Sequence, residues 1–146
     1  AEETAALIAP AFSRGFTLDA GVDEWLADDG TMSEEEFNLM WLRTPDAQKP
    51  YMRFSDGCET LMEFTVRAHG ALHRILNEYA GKTIVVVTHG GVIHASFAYF
   101  FGYGISTLPP TGIDTKRTSI THWFRTSDRP RWVLERFNDY GHLGGG

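Results

Sequence analysis

The sequence predicts a three-layer α/β domain with a mostly parallel sheet and a C-terminal β-hairpin, and three observations carry that prediction. The first is Thr83-Ile84-Val85-Val86-Val87, an unbroken β-branched run of the kind that a strand buried on both faces needs. The second is its setting, with a long helical pattern before it and helix-compatible sequence from about Gly91 to Phe101 after it. The third is a pair of strand-like stretches, 119–125 and 131–137, whose natural reading is a hairpin. With 146 residues, 42% of them hydrophobic and 22% charged, the chain has the size of one globular domain with a real core, so a single domain over 1–146 is expected.

Each element has its own signals. Residues 1 to about 13 read as a helix closed by Gly15, with no initiator Met and no Ser, Asp or Asn cap before it, as though the chain began inside an element. A short extended piece at Phe16-Thr17-Leu18 leads to an irregular acidic stretch carrying Glu24 and Trp25. Ser33 and Glu36 form a capping box, with Met32 and Phe37 as the apolar staple outside it. That helix should stop near Thr44-Pro45, because the residue before proline disfavours helical dihedrals. Ser55 or Asp56 can cap the longest helix, in which Leu61, Thr65, Ala68, Leu72, Ile75 and Tyr79 form one stripe facing the sheet. Gly81 terminates it. Gly102, Gly104, Pro109, Pro110 and Gly112 make a loop ahead of the hairpin, and the glycines at 144–146 should be loose.

Composition narrows the function. A formal charge of -6 and a pI near 5.4 disfavour a general nucleic-acid binder, which normally shows a basic face. The charge is uneven: residues 1–110 hold 7 basic against 15 acidic side chains, whereas 111–146 hold 6 against 4, leaving room for a local basic pocket. The single cysteine, Cys58, excludes an intrachain disulfide, and no apolar stretch approaches the roughly 20 residues that cross a bilayer. No secretory signal stands at the start. The expectation is a cytoplasmic chain without nucleic-acid or membrane partners.

The β-branched run ends in Thr88-His89-Gly90-Gly91-Val92-Ile93. Ligands of parallel sheets collect at the carboxyl ends of strands, and Gly90 and Gly91 let backbone approach a ligand closely there. The following helix start offers unpaired N–H groups and a partial positive charge. A phosphate fits such a place, with His89 as a donor. The competing reading is that the glycines only allow a tight turn and His89 is incidental.

Taken together, Glu3-Thr4-Ala5, Glu24 after an extended segment, Gly57-Cys58-Glu59-Thr60 before the long helix, Arg67 within it, Val87-Thr88-His89-Gly90-Gly91-Val92-Ile93 and the closing Asn138-Asp139 with His142-Leu143 resemble the histidine phosphatase family, which includes the cofactor-dependent phosphoglycerate mutases. The features follow the family's order over nearly the whole chain. The resemblance implies a phosphoglycerate mutase-like α/β/α fold and phosphomonoester hydrolysis or transfer through a phosphohistidine, with a phosphorylated small molecule as substrate. It implies that His89 donates to the phosphoryl oxygens, beside the Gly90 and Gly91 N–H groups, where a nearby dianion favours its protonated form. Glu24 would give a proton to the leaving alcohol, because the same dianion favours the protonated carboxyl. A solvated loop acid is the alternative for Glu24.

The departures from the family pattern matter as much. No Arg-His-Gly occurs, so the family's nucleophilic histidine and the central strand that carries it are missing from these residues. A second phosphate-binding arginine would fall immediately ahead of Ala1, and Arg117 stands where the family often has Asn. Each missing arginine would have made charge-assisted bonds worth roughly 1.5–3 kcal/mol. The chain is therefore expected to be inert alone, an N-terminally incomplete domain whose parent is a phosphatase or a mutase. The short segment between Glu24 and the long helix favours a phosphatase. The alternative is a noncatalytic module that binds phosphorylated ligands, or itself, through a remnant pocket. Buried unpaired backbone groups cost about 1–3 kcal/mol each, so the gap left by a missing central strand must be closed. Pairing with the hairpin, strand exchange in a homodimer or a separate peptide would each do so.

Other motifs carry less. His69 and His73 stand at i,i+4 and could share a metal, but no third ligand is evident and a solvated helix face is the plainer reading. No metal or cofactor is called for. Gly81-Lys82-Thr83 resembles the end of a P-loop, yet Leu76 occupies the required first glycine. Cys58 has Phe64 six residues on, where a cysteine phosphatase needs arginine, so it reads as a loop thiol. His94 lies either at the pocket mouth or packed within its helix, and Arg117, Arg125, Arg129 and Arg131 read as solvated cations around the hairpin.

Overall fold

The computed structural model describes residues 1–144, so Gly145 and Gly146, two of the three terminal glycines expected to be loose, lie outside the described residues. Gly144 closes a 3-10 turn at Gly141–Leu143 with φ 69°. Two compact units are present, Ala1–Pro109 and the part from Pro110 onward. Among the described residues no helix is long and apolar enough to cross a membrane.

In the first unit, helix α1 (Glu2–Ile8) tightens into a 3-10 turn at Ala9–Phe12 around Pro10, which has no N–H to continue the α-helical ladder. It ends at Ser13 in the left-handed conformation (φ 51°), two residues before the expected Gly15. Helix α2 (Glu34–Arg43) starts at the expected capping box: Ser33 Oγ accepts from Glu36 N–H at 3.2 Å, and the Glu36 carboxylate accepts from Ser33 N–H at 2.9 Å. It stops at Thr44, whose ψ of 125° is what Pro45 imposes.

Helix α3 (Leu61–Glu78) begins later than expected. Thr60, not Ser55 or Asp56, is its cap, in a second reciprocal box with Glu63. Gly57, at φ 81°, turns the chain before any helix can start from Ser55 or Asp56. The expected stripe is real at Thr65, Ala68 and Leu72, which are buried, but Tyr79 is exposed. It packs on a helix rather than a sheet: α4 (Gly90–Phe101), ending at Gly102 with φ 69°. Phe64 and Ala68 of α3 meet Val92 and Ala95 of α4 in the core, with Val22, Trp25 and Leu61 against them. Trp25 also lies within 6.4 Å, ring to ring, of Phe37, Trp41, Phe54 and Phe64, fastening α2 to the same core. The stretch around Glu24 is therefore anchored, not loose.

Residues 83–87, expected as a parallel strand, carry no regular secondary structure. A strand exists through its neighbour's N–H and C=O groups, and none pairs with this run among the described residues. Val85 and Val86 remain 55% and 38% exposed. The only sheet formed among the described residues is the antiparallel pair in the second unit, so the three-layer parallel arrangement is not formed by them.

That second unit holds the expected hairpin. Strand β1 (Ile120–Phe124) pairs with β2 (Val133–Asp139), with Phe124 opposite Val133 and register shifts on either side of His122. Thr126 and Arg129 exchange main-chain hydrogen bonds across the turn. Arg125 lies over the Trp132 ring at 4.7 Å and His122 bonds Glu135 at 2.6 Å, whereas the buried hydroxyls of Ser119 and Thr121 have no hydrogen-bond partner among the described residues.

Candidate active site

The site is built where residues 19–26 lie across the start of α4. His89 is the residue before that helix, half-buried, with extended backbone (φ -121°, ψ 170°) and no capping bond from its ring. Thr88 Oγ1 donates to Val22 C=O, tying the approach to α4 to the same stretch. The Glu24 carboxylate accepts from Trp25 N–H at 2.9 Å and from Gly91 N–H at 3.1 Å, so it sits at the positive end of α4. A Cβ on Gly91 would meet Glu24 Oε1 and lie 3.1 Å from Phe64 Cζ, so a larger residue there displaces the Glu24 carboxylate from the Gly91 N–H.

Beside Glu24 lies a charged pair on and before α3. Arg67 Nε and Nη2 donate to the Glu59 carboxylate at 2.6 and 2.7 Å, while Nη1 reaches Ala20 and Asp23 C=O and Nη2 also reaches Glu24 C=O. Both side chains are about three-quarters buried. Arg67 holds the Glu59 carboxyl below the usual glutamate range, against the opposing effect of burial, and Glu59 in turn raises Arg67. Glu59 adds main-chain links, accepting from the Trp25 indole at 3.0 Å and donating to Leu26 C=O at 2.9 Å. Upstream, Asp19 pairs with Arg74 at 2.6 Å and caps Gly21 N–H, and the Arg74 guanidinium holds its carboxyl low. Gly21 lies so close to α3 that a Cβ would stand 2.5 Å from the Ala71 Cβ.

The structure thus brings Glu24, His89, Gly90 and Gly91 to one helix start. It also shows what the sequence reading did not assign, the pairing of Arg67 with Glu59. The two were visible as separate motif residues, but the carbonyls that Arg67 gathers lie 43 to 47 residues away.

Of His69 and His73, read as a solvated face, His73 is exposed and His69 is half-buried. His69 donates from Nε2 to Ala95 C=O at 2.9 Å, and burial pushes the ring below its ordinary value. His73 lies within hydrogen-bond reach of Tyr99 Oη and Asn77. No group of three or more potential metal ligands occurs among the described residues. Cys58 is buried, and burial raises its thiol. His94 is exposed on α4.

The family model for the histidine phosphatase superfamily (branch 1) matches residues 1–140. This chain belongs to the histidine phosphatase superfamily. A relative from Arabidopsis thaliana, phosphoglycerate mutase-like protein 4, is 31% identical over 87 residues, which are 60% of this chain and 35% of that protein. The matched stretch thus spans about a third of that relative's length. Two solved structures share the fold. YhfR of Bacillus stearothermophilus has a TM-score of 0.71 at 23% identity over 98% of this chain and 71% of its own. The mycobacterial glucosyl-3-phosphoglycerate phosphatase has a TM-score of 0.71 at 18% identity over 95% and 72%. The fold of this histidine phosphatase superfamily member is accordingly α/β and phosphoglycerate mutase-like. The site at His89 and Glu24 falls inside the matched residues.

Proposed function

We propose that this chain is part of a phosphatase that hydrolyses small phosphomonoesters through a phosphohistidine, and that it supplies the proton donor and part of the phosphate cradle. The observation that supports the reading is the 3.1 Å contact between the Glu24 carboxylate and Gly91 N–H, at the positive end of α4 and beside His89. In-line phosphoryl transfer is mostly positioning and charge stabilisation, and these residues fit two of its needs. The Gly90 and Gly91 N–H groups and His89 face the phosphoryl oxygens, and Glu24 protonates the leaving alcohol. None of the 146 residues stands in an Arg-His-Gly motif, so the nucleophile comes from outside them. By this reading the chain alone binds phosphate without turning over, residues 83–87 are a parallel strand of the complete three-layer domain, and the protein works in the cytoplasm. A noncatalytic phosphate-binding module is the second reading, favoured by the same missing motif.

The test is hydrolysis of an aryl phosphate across pH 5 to 8 by this chain and by His89→Ala, with inorganic phosphate added to ¹⁵N-labelled protein in parallel. The expected result is no turnover in either protein and phosphate-dependent shifts at Gly90 and Gly91. Turnover that His89→Ala abolishes overturns the inertness of the chain. Unmoved amides overturn the phosphate reading.

A further inference from the structure

We propose that Arg67 is the positioning residue of the acid, fixing Glu24 against the Gly91 N–H through a guanidinium whose five donors are all engaged. The inference rests on the reading of Glu24 as proton donor and adds what aims it. Arginine carries five N–H groups in one rigid plane. Here two go to the Glu59 oxygens and three to the carbonyls of Ala20, Asp23 and Glu24. The Asp23 and Glu24 carbonyls belong to the two peptide planes that flank the Glu24 Cα. Holding both planes sets the direction of the Cα–Cβ bond, the base from which the carboxylate reaches the Gly91 and Trp25 N–H groups.

The rest of the stretch is secured by other groups: Asp19 by Arg74, Gly21 by contact with Ala71, Val22 by Thr88 and Trp25 by Glu59. None of these bonds touches the Asp23 or Glu24 carbonyl. Arg67 itself is held by stacking over Phe64, 5.2 Å from the ring, and Phe64 packs in the α3–α4 core with Val92. One side chain therefore references the acid to the same core that positions the start of α4. Lysine cannot replace it, because a single ammonium offers three donors from one point and cannot span a carboxylate and three carbonyls together.

The measurement is the Gly91 amide signal followed through the titration of Glu24 in wild type, Arg67→Lys, Arg67→Gln and Glu24→Gln, with the Val92 methyl signals reporting the intact core. Wild type is expected to show a Gly91 shift that titrates and that Glu24→Gln abolishes. Both Arg67 variants should reduce its amplitude at least about twofold while the Val92 signals stay in place, since the carbonyl anchors are lost and the fold is not. Arg67→Lys keeps the charge beside Glu59 and decides the matter if Arg67→Gln fails to fold. A wild-type amplitude in Arg67→Lys, or a Gly91 signal that does not titrate in wild type, overturns the role of Arg67. Phosphate addition to wild type tests the phosphate reading separately, so either can fail alone.

Discussion

Glu24 uses two acceptor positions on main-chain N–H groups, those of Trp25 and Gly91, and the second belongs to the first turn of α4. By the proposed phosphate reading, a phosphoryl group entering the site draws on the same Gly91 N–H and the same partial positive charge, so carboxylate and phosphate compete. Glu24→Gln keeps an acceptor but removes the charge. Inorganic phosphate is expected to bind this variant about tenfold more tightly, from removal of a like charge at close range, with Kd read from the Gly91 amide. An unchanged or weaker Kd counts against the competition. At this scale His89 and the two glycines stand in one short local pattern and Glu24 was singled out only by resemblance; the structure brings the four to one helix start. Arg67 was legible only as a name in a motif, since its five acceptors are assembled from Glu59 and from carbonyls 43 to 47 residues earlier.

Helix boundaries were legible where one cap pattern stood alone. Ser33 with Glu36 is such a case and α2 begins there. At the start of α3 the expected caps Ser55 and Asp56 fail because Gly57 turns left-handed after them, and the helix begins instead at Thr60, in a box with Glu63. Residues 83–87 are the opposite case. Their β-branched composition is local, but a strand is made by a neighbour, and sequence alone does not say where that neighbour comes from. With Val85 and Val86 exposed and the backbone unpaired, this run is a template for pairing between copies. The chain is expected to form a strand-exchanged homodimer, and Val86→Lys should weaken dimerisation about tenfold by setting a charge on that edge. Sedimentation over a concentration series reads the difference; a monomer at every concentration, or an unaltered dimer in Val86→Lys, excludes pairing through this run.

At the scale of the whole molecule, the shifted groups act in one direction on the acid side. His69 has its native pKa below the ordinary 6.5, because burial disfavours the charged ring. As pH falls below about 6.5 the unfolded chain takes up a proton that the native ring refuses, so stability declines, with a slope of at most about 1.4 kcal/mol per pH unit for one proton. Above that range both states hold a neutral ring and this contribution is level. Glu59 and Asp19 have native values below the ordinary 4.5 and 3.8, through Arg67 and Arg74. Their stabilisation is complete above those ordinary values and is lost as pH falls through the lowered native ones. Urea midpoints are therefore expected to be level above about pH 7, to fall gently toward pH 5, and to fall steeply below about pH 4.5. His69→Gln, whose amide can still donate to Ala95 C=O, should remove the gentle upper limb and leave the lower one. Arg67→Gln should blunt the lower limb and leave the upper. An upper limb that persists in His69→Gln would mean that another histidine refuses a proton in the native state, and that the burial of His69 is not its source.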